Sequence, residues 1–232
     1  MRPVRLHVIG EGQTEETFVN RTLVDYLGAL GISSTDARRV ETGRKKGIVF
    51  RGGMTTYQKV KNDLIRWMKE DNNPDSCFTT MFDLYRLPND FPGFEAAASM
   101  ADPYARVRHL EEAFWEDLDK HQRFVPYIQL HEFEALLFSD ATKFARVFVR
   151  EVAEIQELVA IRADFSTPEH IDDGEETAPS KRIIKLISAY AGAKATAGPL
   201  IASAIGVSTL IRECRHFREW LEKLARLPTD AG

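Results

Sequence analysis

The sequence predicts an α/β fold, in which a parallel sheet core of about four strands is flanked by helices and followed by a helical C-terminal elaboration. Three observations predict it. Two short apolar runs, residues 4–9 and 77–82, have the length and composition of buried strands. Each run ends at an acidic residue, Glu11 after the first and Asp83 after the second. Helical patterns separate the strand patterns, and this alternation is typical of a parallel sheet.

The N-terminal half alternates between strands and helices. After the first strand, Thr14 is the expected N-cap of a helix, because Glu15 and Glu16 then fall in a first turn where the helix dipole favours acids. Gly31 is a natural stop for this helix. The other predicted elements of this half are, in order, a weaker strand within residues 34–42, a glycine-flanked basic loop at 43–53, a helix at 57–68, the buried strand at 77–82, a loop at 86–93, a helix at 104–121 and a strand at 125–130.

Beyond residue 138 the pattern is helical. Residues 164–179 are polar, acidic and bounded by proline, which predicts a mobile loop or lid. We therefore predict a core over residues 1–138 and, over 139–232, a helical layer that packs on the core and is not an independent domain. The predicted helices of this layer cover residues 144–161, 183–191, 200–205 and 208–227.

Composition is that of a soluble globular protein, with 44% apolar and 28% charged residues in a chain of 232. Both cysteines, Cys77 and Cys214, lie in apolar patterns, which indicates buried thiols in a reducing compartment. The chain shows no leader pattern, and its longest apolar stretch, residues 197–207, is too short to span a bilayer. We therefore expect a cytoplasmic protein with no membrane partner.

The net charge of −4 argues against binding nucleic acid through bulk electrostatics, so that local basic clusters matter more. Arg44 and Lys45 belong to one such cluster, and Lys181 and Arg182 belong to another. Either cluster could follow a phosphate backbone, and the alternative is an ordinary solvated loop or helix face. The second cluster also opens a helix, where backbone N–H groups favour an anion, and the alternative there is simple N-capping by Ser180.

Acidic residues at the ends of strands are the candidate catalytic groups. Glu11 and Asp83 should meet at one edge of the sheet, because right-handed crossovers bring the carboxyl ends of parallel strands together. Carboxylates are the ligands that Mg²⁺ and Mn²⁺ prefer, so that we expect a divalent metal there. Glu132 and Glu134 follow the fourth strand and could complete the ligand set. The alternative is that both are first-turn acids beneath the helix dipole.

His131 precedes these two acids, and two interpretations of it stay open: a base or metal ligand, or a hydrogen-bonded structural histidine. Several familiar motifs can be set aside. Glu15 stands where a dinucleotide-binding fingerprint needs its third glycine, and the segment 43–53 lacks the Gly-Lys-Ser/Thr of a P-loop. Neither a Cys-x-x-Cys pair nor a Gly-x-Ser-x-Gly turn occurs in the sequence.

The order of these motifs resembles the Toprim fold of topoisomerases, primases and related nucleases, and more closely a bacterial family of unknown function in the Toprim-like group. The resemblance implies acid/base work for Glu11 and supports a role for Glu15. Toprim enzymes bind metal through an Asp-x-Asp pair, and here Tyr85 replaces the second aspartate. The matching segments are Glu11-Gly12-Gln13-Thr14-Glu15, Asp83-Leu84-Tyr85, residues 129–138, residues 179–182 and residues 211–221.

The leading interpretation is a nuclease: a phosphodiesterase dependent on Mg²⁺ or Mn²⁺ that acts on DNA or RNA, with Glu11, Asp83 and Glu134 as its catalytic acids. The resemblance further implies a partner ATPase of the structural-maintenance or ABC type and a role as effector in bacteriophage defence. An oligomer is compatible with this interpretation. The competing interpretation is a non-catalytic Toprim-like module that binds or regulates an ATPase. A third, a small-molecule phosphatase, would need a closed pocket in place of an open basic groove.

Overall fold

The computed structural model describes residues 3–45, 48–171 and 177–230. The strands within these ranges are β1 (Val4–Gly10), β2 (Ile32–Arg39), β3 (Glu41–Lys45), β4 (Ile48–Arg51), β5 (Ser76–Asp83), β6 (Phe124–Val125) and β7 (Ile128–Gln129). The helices are α1 (Gln13–Phe18), α2 (Val24–Ala29), α3 (Tyr57–Glu70), α4 (Phe94–Ala98), α5 (Pro103–Asp117), α6 (Glu134–Leu137), α7 (Val152–Ala163), α8 (Pro179–Leu186), α9 (Tyr190–Ile205), α10 (Val207–Glu213) and α11 (Arg215–Asp230). A π-helical turn, Val19–Leu23, joins α1 to α2, and 3₁₀ segments cover Leu84–Arg86, Phe138–Arg146 and Pro168–His170.

A parallel sheet in the order β2-β1-β5-β6 forms the centre of the fold, and β7 also pairs with β5. All of its pairings are parallel, so that β1, β5 and β7 end at the same edge. This arrangement confirms the predicted α/β class. The strand predicted at residues 125–130 is divided into β6 and β7. Pro126 has no N–H to donate to the neighbouring strand, and the backbone of Tyr127 bonds the side chain of Thr80 instead of the β5 backbone. Thr80 Oγ1 of β5 donates to the Tyr127 carbonyl at 2.9 Å and accepts its N–H at 3.0 Å.

Successive side chains of a strand point to opposite faces of the sheet and here enter two apolar cores. Leu6 and Val8 of β1 lie in the first core, which also holds buried residues of α1, α9 and α11. Ile9 and Phe82 lie in the second core, with buried residues of α3 and α5. Both cysteines are buried free thiols, as predicted. Packed helices therefore flank the carboxyl edge of the sheet on both faces. The predicted boundary at residue 138, between an α/β core and a helical C-terminal layer, stays a prediction.

Three predictions for the N-terminal half are wrong in detail. The predicted loop at 43–53 contains β3 and β4, which form an antiparallel hairpin, since the β-branched and aromatic residues of β4 favour a strand. The first helix has Gly12 and not Thr14 as its N-cap, because the Glu15 carboxylate accepts the Gly12 N–H at 2.7 Å. The helix predicted to reach residue 121 ends at Asp117, because the φ values of Asp119 and Lys120 are 54° and 52°.

The predicted helices of the C-terminal half are interrupted in three places. Residues 144–161 comprise the end of a 3₁₀ segment and then α7, residues 183–191 cross from α8 into α9, and residues 200–205 are the last part of α9. The helix predicted at 208–227 breaks at Cys214 (φ −114°, ψ 104°). The break frees the start of α11, where Glu169 accepts the N–H groups of His216 and Phe217 at 3.0 Å each. In the predicted loop at 164–179, residues 172–176 lie outside the described residues.

In the described part of the chain, no single helix has the length and apolar content that crossing a membrane requires. The α9–α10 pair meets those two requirements jointly, with a bend of 84° at the break between the two helices.

Candidate functional site

Five carboxylates gather where the parallel strands end. Glu11 directly follows β1, and its backbone N–H donates to the Met81 carbonyl of β5 at 3.2 Å. Asp83 is the last residue of β5 and pairs in register with Gln129 of β7. The remaining three are Glu15 in the first turn of α1, Glu132 after β7, and Glu134 at the start of α6. The other four acids all raise the pKa of Asp83, so that the sheet edge brings all five within electrostatic reach of one another.

Glycine at position 10 allows the turn from β1 into α1. A Cβ added to Gly10 would lie 3.0 Å from Glu15 Cβ and 3.3 Å from the Glu16 backbone nitrogen. Only glycine lets α1 begin this close to the strand. A second turn packs on the same segment, because the N–H of Gly53 (φ +74°) donates to the Glu11 carbonyl at 3.0 Å. The β3–β4 hairpin therefore returns directly onto the backbone of Glu11.

Donors from neighbouring segments hold four of the five carboxylates in place. Each donor is a backbone N–H, a hydroxyl or an ammonium group, so that these acids already have partners in the folded chain. The contacts are Gly12 N–H to Glu15 (2.7 Å), Phe133 N–H to Asp83 (2.9 Å), Ser180 N–H to Glu132 (2.9 Å), and the Tyr190 hydroxyl (3.3 Å) and Lys194 ammonium (3.4 Å) to Glu134.

Glu11 is held on one side only. Its carboxyl group bonds the backbone of Asp83, whereas its Oε2 atom is buried and has no hydrogen-bond partner among the described residues. A buried acceptor without a partner costs about 1–3 kcal/mol. A proton or a cation at Oε2 would remove that cost, so that this oxygen is open to either one.

The crowding of acids raises their pKa values. Burial is the largest cause for Asp83, and the charges of Glu15, Glu11 and the other two acids raise its pKa further above the ordinary value of 3.8. Burial and the charge of Glu15 raise the pKa of Glu11 to about 8, although Arg86 opposes them. Burial, with a contribution from Glu134, raises the pKa of Glu15 to about 7. Burial also raises the pKa of Glu134, against the nearby Lys194 charge. Without a cation, these acids therefore hold protons near neutral pH that isolated carboxyl groups would have lost.

The donor set suits a divalent cation such as Mg²⁺ or Mn²⁺, because every group offers carboxylate oxygen. The side-chain positions are less favourable. Within residues 3–45, 48–171 and 177–230, no three His, Cys, Asp or Glu side chains converge closely enough to hold a metal ion. The cluster thus offers the ligand chemistry of a metal site, and its side chains would have to rotate to close on an ion. The metal and catalytic roles of Glu11, Asp83, Glu132 and Glu134 stay predictions.

Tyr85 and His131 brace the backbone beside the carboxylates. The Tyr85 N–H donates to the His131 carbonyl at 3.2 Å, and the Tyr85 hydroxyl lies 2.9 Å from His131 Nδ1. His131 Nε2 lies 3.0 Å from the Glu169 carbonyl oxygen, so that Nε2 carries the proton and Nδ1 accepts from Tyr85. Because both ring nitrogens are engaged, the geometry favours the structural interpretation of His131 over a base or a metal ligand.

The residues predicted to bind phosphate stand at the start of α8 and in the hairpin. Ser180 is buried behind the helix N-cap, Ala178, and its N–H already bonds Glu132, so that the alternative of N-capping by Ser180 is wrong. Lys181 is exposed, whereas Arg182 Nε donates to the Thr177 carbonyl at 2.7 Å. The backbone of Arg44 and Lys45 forms part of β3, and their side chains lie outside the described residues. Phosphate binding by these residues stays a prediction.

The sequence interpretation missed two cations at this edge. Arg86 is exposed, lowers the pKa of Glu11, and forms no ion pair with a described acid. The sequence did hold a signal for Arg86: it lies three residues after Asp83, in the 3₁₀ segment that directly follows β5. Lys194 pairs with Glu134 from the second turn of α9, and the packing of α9 against α1 and α6 brings it there. Nothing in the local sequence around Lys194 indicates that contact.

The fold and the five carboxylates together define an α/β protein with an acidic cluster at the carboxyl edge of a parallel sheet. The chain belongs to the family described as "Domain of unknown function (DUF4276)", whose model matches residues 10–225. No curated protein matches the chain in sequence. Among solved structures, the chain is similar to the C-terminal region of the Burkholderia pseudomallei OLD protein, at 15% sequence identity and a TM-score of 0.45, over 99% of each chain.

Proposed function

We propose that this protein is a nuclease: a phosphodiesterase that depends on Mg²⁺ or Mn²⁺ and cleaves DNA or RNA. The observation that carries the proposal is the cluster of five carboxylates, in which Glu11 and Asp83 have raised pKa values and Glu11 Oε2 has no described partner. Repulsion among buried acids opposes folding, and strongly perturbed acids therefore tend to mark functional sites. The Toprim-like order of the motifs supports the same function.

Glu11 and Asp83 would hold the metal, with Glu132 or Glu134 as a third carboxylate ligand and water in the other positions. We place the third ligand in the segment after β7, because Tyr85 occupies the position of the second Toprim aspartate and Glu132 and Glu134 are the acids that follow β7. When bound, the metal would supply Lewis-acid stabilisation of the charge that develops on the phosphate, and would lower the pKa of a bound water.

In the alternative division of roles, Asp83, Glu132 and Glu134 would hold the metal and Glu11 would move the proton. A pKa of about 8 lets its carboxyl group hold a proton near neutral pH and release it at little cost, which suits general acid/base work on an attacking or leaving oxygen. Exposed cations would bind the phosphates. Arg86 is the nearest candidate to Glu11, and Lys181 at the start of α8 could bind a flanking phosphate together with the hairpin residues Arg44 and Lys45.

We further propose that the protein works as the effector of a bacteriophage-defence module, restrained or licensed by an ATPase of the structural-maintenance or ABC type. The resemblance of the motifs is the only support for this part. It predicts that the ATPase changes the cleavage rate of the isolated chain, lowering it if the ATPase restrains the protein and raising it if the ATPase licenses it. Titrating an ATPase of that type into a cleavage assay, with and without ATP, tests it. An unchanged rate at every ratio would count against the partnership.

Nicking of supercoiled plasmid, with a single-stranded RNA in parallel, tests the nuclease itself. Wild type, Glu11→Gln and Asp83→Asn should be compared in Mg²⁺, Mn²⁺ and EDTA. The matched control is Glu112→Gln, an exposed acid on α5. We expect metal-dependent cleavage by wild type and by the control, and its loss in both site variants. Equal cleavage by all four proteins would point to a contaminating nuclease and refute the assignment.

A second candidate function is a non-catalytic module that binds a partner. One observation favours it: four of the five carboxylates already have donors, and no described triad converges on a metal position. Calorimetric titration of Mn²⁺ distinguishes the two functions. Binding that disappears in Asp83→Asn supports the nuclease, whereas heats equal to the buffer blank, in a folded protein that cleaves nothing, support the module.

A further inference from the structure

A cavity of about 190 Å³ adjoins the carboxylate cluster. Its lining includes Leu84 and His131, and each is the chain neighbour of a cluster acid, Asp83 and Glu132 respectively. Adjacent Cα atoms are about 3.8 Å apart, so that the cavity begins within one residue of the acids. The polar lining residues are Arg106, His131 and His170, and the other four are apolar. None of the lining residues, within the described part of the chain, is acidic.

Arg106 is the cation of this cavity. It lies in the first turns of α5, and its Nε atom is buried without a hydrogen-bond partner in the described structure. Its guanidinium group forms no ion pair with a described acid. A buried donor without a partner is unfavourable, and a guanidinium group presents a planar fork of donors that matches phosphate oxygens. An anion in the cavity would satisfy it.

The two histidines place further polar edges around Arg106. His131 is fixed by Tyr85 and by the Glu169 carbonyl, so that its ring forms a rigid wall. His170 Nδ1 lies 3.1 Å from Ser166 Oγ, and the Nε2 atom of His170 has no hydrogen bond to a described residue. Nε2 can therefore donate to a ligand when it carries the proton.

Glu169 directly precedes His170 and would be expected to repel an anion. Its side chain does not line the cavity, and its carboxylate accepts three hydrogen bonds from other segments. Oε1 accepts the Phe217 N–H, and Oε2 accepts the His216 N–H and the Tyr104 hydroxyl, each at 3.0 Å. The partial positive charge at the start of α11 compensates the carboxylate, so that it does not cancel the charge of Arg106.

We infer that this cavity binds a phosphate group of the substrate strand, next to the phosphate that reacts at the carboxylates. Arg106 and His170 Nε2 contact the phosphate oxygens, and the apolar lining accepts the attached sugar. That the phosphate belongs to a nucleic-acid substrate rests on the proposed function. The phosphate site itself rests only on the cavity, its unpaired guanidinium group and the orientation of Glu169.

Binding measured in EDTA tests the site without cleavage. Inorganic phosphate, a nucleoside monophosphate and a short single-stranded oligonucleotide should be titrated into wild type, Arg106→Gln, Arg106→Lys and the control Arg108→Gln, which changes an exposed arginine on the same helix. We expect Arg106→Gln to weaken all three by about tenfold or more, Arg106→Lys to recover part of the affinity, and the control to match wild type. The thermal midpoint of each variant shows whether it is folded.

The outcomes separate the inference from the proposed function. Equal affinities in wild type and Arg106→Gln would overturn the phosphate site. Loss of inorganic phosphate with unchanged oligonucleotide binding would overturn the assignment to the substrate strand. If wild type cleaves nothing but Arg106→Gln still loses phosphate, the site stands and the nuclease assignment fails. If wild type cleaves, the inference requires Arg106→Gln to raise KM more than it lowers kcat, and an unchanged KM would refute it.

Discussion

At the amino edge of the central sheet Asp71 lies among cations, whereas at the carboxyl edge Asp83 lies among other acids. Burial opposes ionisation of Asp71, but hydrogen bonds from His7, Ser76 and the Asn73 backbone, together with the Arg5 charge, lower its pKa to about 2. For Asp83, burial and the neighbouring glutamates both act to raise the pKa. The pKa of an aspartate is thus lowered at the amino edge of the sheet and raised at its carboxyl edge.

The difference indicates what each edge is for. The amino edge is neutralised internally, and Arg123 there donates to backbone carbonyls of Asp71, Asn73 and Ser76. Such an edge stabilises the fold and has no need of a ligand. At the carboxyl edge the acids have too few neighbouring cations and retain protons up to near neutral pH, so that a divalent cation could take the place of those protons. We take the second arrangement to be maintained for function at the expense of stability.

The largest expected effects come from changing the two aspartates separately. Asp71→Asn removes favourable interactions and should lower the free energy of unfolding by about 1–2 kcal/mol. Asp83→Asn removes the cost of burying an acid among other acids, keeps an acceptor for the Phe133 N–H, and should raise the free energy of unfolding by about 1 kcal/mol. Cleavage should fall by about 100-fold or more in Asp83→Asn alone.

Thermal unfolding in EDTA and plasmid nicking measure these opposite responses. A shift of 1 kcal/mol corresponds to about 2–4 °C in the midpoint for a chain of this size. Destabilisation by both substitutions, to the same extent, would show that Asp83 is a structural acid like Asp71. The comparison between the two edges would then have no functional meaning.

The pH dependence of stability should follow from the acids of the carboxyl edge. The pKa of Glu11 rises from 4.5 to about 8 on folding, and that of Glu15 rises to about 7. Between pH 4.5 and 8 the folded protein therefore binds more protons than the unfolded chain, so that the free energy of unfolding falls as pH rises. Mg²⁺ or Mn²⁺ should oppose the fall, because a bound cation stabilises the ionised carboxylates.

Melting curves at pH 5, 6, 7 and 8, with EDTA or with metal, provide the measurement. The double variant Glu11→Gln, Glu15→Gln should flatten the dependence, and Glu112→Gln should leave it unchanged. The amino edge acts in the opposite sense, since the stability contributed by Asp71 is lost only as pH falls towards about 2. A wild-type midpoint that rises steadily from pH 5 to 8 in EDTA would contradict the electrostatic description of the site.

Strands β1 and β5 and the two acids that follow them could be predicted from local sequence, because each strand is one apolar run and its acid comes within two residues of that run. Glu11 and Asp83 came from this signal. The break at Cys214 could not be predicted in the same way, since the apolar spacing continues across it and its cause, the Glu169 carboxylate, lies more than forty residues earlier. Lys194 and the state of His131 likewise depend on contacts between distant segments.

The turn that builds the carboxyl edge offers a smaller effect. Gly10→Ala places a Cβ 3.0 Å from Glu15 Cβ, so that α1 must move away from β1 at a cost of about 1–3 kcal/mol. The matched control is Gly28→Ala in α2, where an added Cβ meets nothing within 4 Å. We expect the control to be neutral or to gain up to about 1 kcal/mol. Chemical denaturation measures both, and equal responses would show that the turn tolerates a side chain.

The smallest effect concerns Arg86, the exposed cation that lowers the pKa of Glu11. Arg86→Gln removes this charge and should move the pKa of Glu11 upwards, so that the alkaline limb of a pH–rate profile shifts by a few tenths of a unit, as expected for a solvent-screened pair. The control is Lys181→Gln, which removes one positive charge from an exposed side chain at the start of α8. Because both variants lose one positive charge, a general electrostatic effect would shift both profiles equally. A shift confined to Arg86→Gln would assign the titrating group to Glu11, and the absence of any shift would assign it elsewhere.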